Sequence, residues 1–388
     1  MISPMRARSP HEPLRVSTPL ELFFDLVFVV AIAQAAGGFH HAITEGHAAQ
    51  GVVSYLMVFF AIWWAWMNFT WFASAYDPGD VPYKLAVLVQ ITGALIVAAG
   101  IPAMLEAHAP NGATVGGYVV MRLAMVGQWL RAAASDPDRR TTALRFAGGI
   151  TAVQIAWVAV LFLPAHLVLP AFVAFAIAEL CVPVWAERAA PTTWHPHHIT
   201  ERYGLFTIIV LGESILAATV AVQAALASGE RLFALVPVIV GGLLTVYSLW
   251  WLYFYRPVHD FLADRKLATA IGWGYGHFVV FASAAAVGAG LAASVDQATA
   301  HAAISSRTAG AAVAIPVALY VSSLWILHRR PGSAAYNSLV PVSLILLLLA
   351  PLGPQPVLMI GVVLAALLAG KLALQPADAG TLETGHDH

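Results

Sequence analysis

Long apolar runs alternate along the chain with short clusters of Pro, Gly, Asp and basic residues. Each run is close to the ~20 residues that a helix needs to cross the hydrocarbon layer of a bilayer. Twelve runs can be marked, at roughly 20–39, 51–75, 82–105, 114–134, 142–163, 166–187, 199–226, 232–255, 266–293, 308–328, 336–352 and 355–374. The connections carry turn chemistry, as at Pro78-Gly79-Asp80, Asp136-Pro137-Asp138 and Pro331-Gly332-Ser333. The pattern predicts an all-α, polytopic integral membrane protein of about twelve transmembrane helices. Ala31-Ile32-Ala33 resembles a leader cleavage site, but Glu21 and Asp25 interrupt the apolar stretch such a leader requires. Residues 20–39 therefore read as the first span.

Charge supports this segmentation. Only 10% of the 388 residues are Asp, Glu, Lys or Arg, against about 25% in soluble domains. With the N-terminus in the cytoplasm and the sides alternating, sixteen of the nineteen Lys and Arg fall on the cytoplasmic side. Only Arg231 and Arg307 fall outside, and Arg122 lies within a span. That asymmetry is what the positive-inside rule expects. It places both termini in the cytoplasm. The net charge of −1 gives no pull on nucleic acid. The lone cysteine, Cys181, excludes an internal disulfide and reads as a buried filler.

The two halves resemble each other. ELFFDLVFVVAIAQ from Glu21 matches ERYGLFTIIVLGES from Glu201, Trp63-Trp64 matches Trp250-Trp251, and Lys84-Leu85-Ala86 matches Lys266-Leu267-Ala268. The matches keep their order, at offsets of 180 to 187 residues. The expected organisation is a cytoplasmic segment 1–19, a first six-helix repeat 20–187, a cytoplasmic linker 188–198, a second repeat 199–375 and a disordered cytoplasmic tail 376–388. Six spans per repeat make the two halves parallel, as occurs in secondary transporters.

The first-span motif ELFFDLVFVVAIAQ and the seventh-span stretch His198-Ile199-Thr200-Glu201-Arg202-Tyr203-Gly204-Leu205-Phe206-Thr207, with Leu211-Gly212-Glu213-Ser214, resemble the bacterial low temperature requirement protein A family. The resemblance implies a multi-span bacterial inner-membrane protein. The family name records a growth phenotype, so it brings no substrate, cofactor or catalytic residue.

Polar residues inside the spans are the candidates for function, because a charge in hydrocarbon must be paired, protonated or used. At ~1.5 Å per residue, Arg122, Glu213 and His277 lie at one level near mid-membrane. Asp25, Glu179 and Gln128 form a second layer nearer the cytoplasm. Arg122 and Glu213 are expected to pair. Glu21 suits a helix N-terminus, and with Glu201 and Arg202 it forms a motif at the helix mouths. Trp63, Trp64, Trp66, Trp71, Trp250 and Trp251 read as interface anchors. His195, His198 and Glu201 have a spacing that can bring ligands to one metal, although no second compact ligand set follows.

Two layers of titratable residues favour a proton-linked secondary transporter or ion pathway, with the lipid bilayer and a small solute or ion as partners and no cofactor. The alternatives are a membrane-embedded metal-dependent enzyme using the His195–Glu201 cluster, and a non-catalytic membrane scaffold.

Overall fold

The computed structural model describes residues 3–13, 15–229, 232–255, 262, 266–328 and 334–374. Among these there are twelve α-helices and no strand. They are α1 (Pro19–Thr44), α2 (Ala48–Ala75), α3 (Val81–Ala107), α4 (Gly112–Ser135), α5 (Arg140–Ala159), α6 (Ala165–Glu187), α7 (Pro196–Ala227), α8 (Leu232–Phe254), α9 (Leu267–Ala298), α10 (Ser306–Leu327), α11 (Ala334–Leu349) and α12 (Pro356–Ala373). Ten helical segments are long and apolar enough to cross a membrane. The other two runs differ: α4 carries Arg122, Gln128 and Arg131, and α11 has only 16 residues. The expected tail 376–388 lies outside the described residues, as do Arg231, Arg256, Arg265, Arg329, Arg330 and Pro331-Gly332-Ser333.

Local chemistry sets the helix starts. Thr18 caps α1 in a reciprocal capping box with Glu21, which satisfies donors that a helix start otherwise leaves bare. Asp80 caps α3 through the Tyr83 amide, and Asn111 caps α4 through Ala113 and Thr114. Gly79, at φ +63°, supplies the left-handed turn ahead of α3.

The chain forms two compact units, 1–213 with 257–278, and 214–256 with 279–388. Two of the three divisions fall inside α7 and α9, each of 32 residues. The first unit has an aromatic core that includes Phe24, Phe59, Trp63, Trp64, Trp66 and Tyr203. In the second, Ala221, Ala225, Leu235, Ala292 and Val295 pack together. Its helices approach closely through glycine: Gly241 of α8 lies against the α12 backbone at Val357, and Gly361 of α12 against Gly241.

Three sequence expectations change here. Trp63, Trp64 and Trp66 are buried, whereas Trp250 and Trp251 are exposed as anchors would be. A run of tryptophans in the middle of α2 points around much of the helix, and buried carboxylates accept two of the indole N–H groups. Cys181 is exposed, on the outer face of α6. Arg122 meets Glu179 rather than Glu213.

Candidate functional site

The helix-mouth motifs of α1 and α7 meet in the first unit. Glu21 and Asp25 stand four residues apart on one face of α1, as His198 and Arg202 do on α7. The Arg202 guanidinium grips Asp25 with two bonds, Nε to Oδ2 at 2.9 Å and Nη2 to Oδ1 at 2.5 Å. Its Nη1 lies 3.0 Å from Glu21 Oε1, as does His198 Nε2. These two are close contacts without hydrogen-bond alignment. Trp66 Nε1 donates to Asp25 Oδ1 at 2.7 Å. All four side chains of the motif are fully buried.

The segment before α1 closes this cluster. Arg15 lies 3.7 Å from Glu21 and 3.9 Å from Asp77, and donates to the Ala73 carbonyl. Ser17 N–H donates to Glu201, and the Arg8 amide donates to the Ala75 carbonyl. Asp80 accepts from the Ser3 amide and from Arg131, which also donates to the Ser3 carbonyl.

Outside the spans, these partners shift protonation. Arg131, bonded to Asp80, holds its carboxyl down to about 2. Arg8 likewise lowers Glu12. Burial, followed by the nearby Glu21 charge, pushes Asp77 up. Burial pushes His195 down.

A second cluster joins α2, α4, α5 and α6. Arg122 Nη2 lies 3.1 Å from Glu179. Trp64 and Trp157 donate to the two Glu179 oxygens, at 2.7 and 3.3 Å. Arg122 also donates to the Tyr118 hydroxyl at 3.3 Å, with its guanidinium over the Tyr118 ring. Gln90 donates to Gln128 at 2.9 Å.

Aromatic rings continue from both clusters. Trp66 packs edge-on to Tyr203 at 4.9 Å, and Tyr203 packs against His277 at the same distance. The His277 Nδ1 lies 2.8 Å from the Trp273 carbonyl. Trp64 contacts Tyr275 at 5.7 Å. Glu213 is buried, but no hydrogen bond or ion pair to it is observed among the described residues.

Of the predicted residues, the structure therefore joins Asp25 with Glu21 and Arg202, and Arg122 with Glu179. It does not gather His195, His198 and Glu201 around one point. His198 turns to Glu21, His195 Nε2 to the Glu12 carbonyl at 3.0 Å, and Glu201 to the Ser17 amide. Among the described residues no group of three or more His, Cys, Asp or Glu side chains is arranged to hold a metal. Arg15, Asp77, Tyr118 and Trp157 join these clusters without a signal read from the sequence, and Trp64 and Trp66 join them in place of the interface role expected of them. The signal for the tryptophans was available, because a buried indole N–H needs an acceptor.

An uncharacterized protein of Rhizobium meliloti (strain 1021) is 26% identical over 251 residues, covering 61% of this chain. The alignment spans 57% of that relative's length. No solved structure matches the chain. Residues 16–374 match the family described as bacterial low temperature requirement A protein (LtrA). The match takes in both helix-mouth motifs and every described helix, so the chain belongs to the bacterial low temperature requirement A protein family, as a membrane protein with many apolar helices.

Proposed function

We propose that this protein is a proton-linked secondary transporter or ion pathway of a bacterial inner membrane, with both termini cytoplasmic and a small solute or ion as cargo. One observation carries the reading. The cluster between α1 and α7 holds three carboxylates, Glu21, Asp25 and Asp77, against two guanidiniums, Arg15 and Arg202. With His198 neutral it is one positive charge short. Burial makes an unbalanced charge costly, so one added proton balances the group. Burial pushes His198 down to about 4, whereas burial and the Glu21 charge push Asp77 up, so Asp77 is the carrier. Trp66, Tyr203 and His277 continue from Asp25 of the same cluster. Glu213, Arg122, Glu179 and Gln128 are the remaining polar residues of the proposed pathway. A parallel duplication of 20–187 and 199–375 fits a transporter architecture. The metal-enzyme alternative is weaker, because each of its three donors is engaged elsewhere.

The test is electrical. Proteoliposomes on a solid-supported membrane, given a pH jump, should produce a transient current in the wild type. Asp77→Asn should remove the current and leave the protein monodisperse. A panel of solutes added to the wild type should enlarge the current for the transported class. A wild-type protein giving no pH-driven current with any solute would leave the cluster as a structural clamp.

A further inference from the structure

The first unit also contains a cavity of about 50 Å³, apart from the charge cluster of α1 and α7 and bordered by Tyr118 and Trp157 of the second cluster. It lies toward the ends of α2, α3 and α4 opposite to those that meet Glu21 and Arg131. Its wall is almost entirely apolar, with Phe60, Trp157 and Phe172 forming an aromatic side. Gln154, one helical turn before Trp157 on α5, lines the same cavity. It is buried, yet both its amide nitrogen and its amide oxygen lack a hydrogen-bond partner among the described residues. A buried amide with neither group paired is costly, and most such groups in folded proteins have a partner. Tyr118 also lines the cavity, and its hydroxyl is already engaged by Arg122 and by the Ala61 carbonyl.

We infer that this cavity is a binding site for a small uncharged molecule with an apolar body and one hydroxyl or amide group, which Gln154 bonds. The charge is set by the surroundings. The nearby ionised groups, Arg122 and Glu179, neutralise each other, so a charged ligand would find no counter-ion. The polarity is set by Gln154, which offers a donor and an acceptor to one polar group. The size follows from the volume, room for about four water-sized spheres, so a larger ligand seats its short polar end there. The site does not depend on proton coupling, since binding needs no gradient.

The experiment uses the full chain in detergent micelles, with a diazirine-bearing six-carbon alcohol as photoprobe and mass spectrometry to locate the label. Labelling should saturate at the helix segments around Phe60, Tyr118 and Phe172. Excess 1-hexanol should compete, and hexanoate and hexylammonium should not. Gln154→Leu removes the unpaired amide and should fold at least as well as wild type. It should weaken alcohol labelling about tenfold, the effect of one lost hydrogen bond, while a diazirine alkane labels as before. Val97→Phe, which fills the cavity, should remove labelling by both probes. Three results would overturn the inference: unsaturable label spread over the lipid-facing positions, equal competition by hexanoate, or alcohol labelling unchanged in Gln154→Leu.

Discussion

The two compact units use different means to hold helices together. Every acidic, basic or histidine side chain that is buried among the described residues belongs to the first unit. Its helices are tied by ion pairs and by indole N–H groups bonded to carboxylates. Among the described residues the buried polar side chains of the second unit are serine and threonine, and several bond backbone carbonyls, as Ser214 does to Ala284 and Ser294 to Gly290, both at 2.8 Å. Its helices are drawn together by small residues, as expected where lipid and protein interior are equally apolar. Charge burial is expensive and packing alone suffices to join membrane helices. The first unit's charges therefore call for a reason beyond stability.

The largest effect should come from Arg202→Leu, which leaves Glu21 and Asp25 buried without their guanidinium. Loss of one side of a buried pair costs about 3–5 kcal/mol, so the variant should unfold far below the wild-type temperature in detergent, or fail to accumulate. Next comes the second cluster. Arg122→Leu and Glu179→Leu should each destabilise strongly, and the double variant should recover much of the loss, because no charge is then stranded. Glu213→Leu combined with Arg122→Leu should instead give an additive change. In the second unit, Gly361→Leu would drive a side chain into the α8 backbone at Gly241. Overpacking of this kind costs about 1–3 kcal/mol, and a thermal melt would read it.

The smallest effect is acid dependence. Asp80 titrates lower in the folded state than in the unfolded one, held down by Arg131. Its stabilisation is complete above the ordinary carboxylate value of about 3.9 and drains as pH falls toward 2. Asp80→Asn should therefore lower the melting temperature at neutral pH and flatten its decline between pH 4 and 2. A decline as steep as that of the wild type would assign the acid loss to other carboxylates.

The helices were legible in the sequence, but the contrast between the units was not, because the pattern of the two halves reads as alike. Apolar run length and turn residues located the helices, and the four-residue spacing of Glu21 and Asp25 puts both on one helix face. The partner of Arg122 was not legible. Depth along a helix fixes a level in the membrane but not a direction around the axis, nor which helix is adjacent. A guanidinium on its long stem also reaches between levels, so Arg122 meets Glu179 from the layer below. The tryptophans of α2 were misread because Trp favours interfaces on average, and the carboxylates that draw Trp64 and Trp66 inward lie on α6 and α1. Gln154 carries no sequence signal, since only its surroundings reveal that its amide is unpaired.

The cluster between α1 and α7 is expected to gain and lose one proton on Asp77 while the protein stays folded. Infrared difference spectroscopy of the protein in lipid, between pH 8 and pH 5, tests this most directly. A protonated-carboxyl band that isotope labelling assigns to aspartate should appear at the lower pH and vanish in Asp77→Asn, with the helical amide band unchanged. The same carboxyl band persisting in full in Asp77→Asn would contradict it.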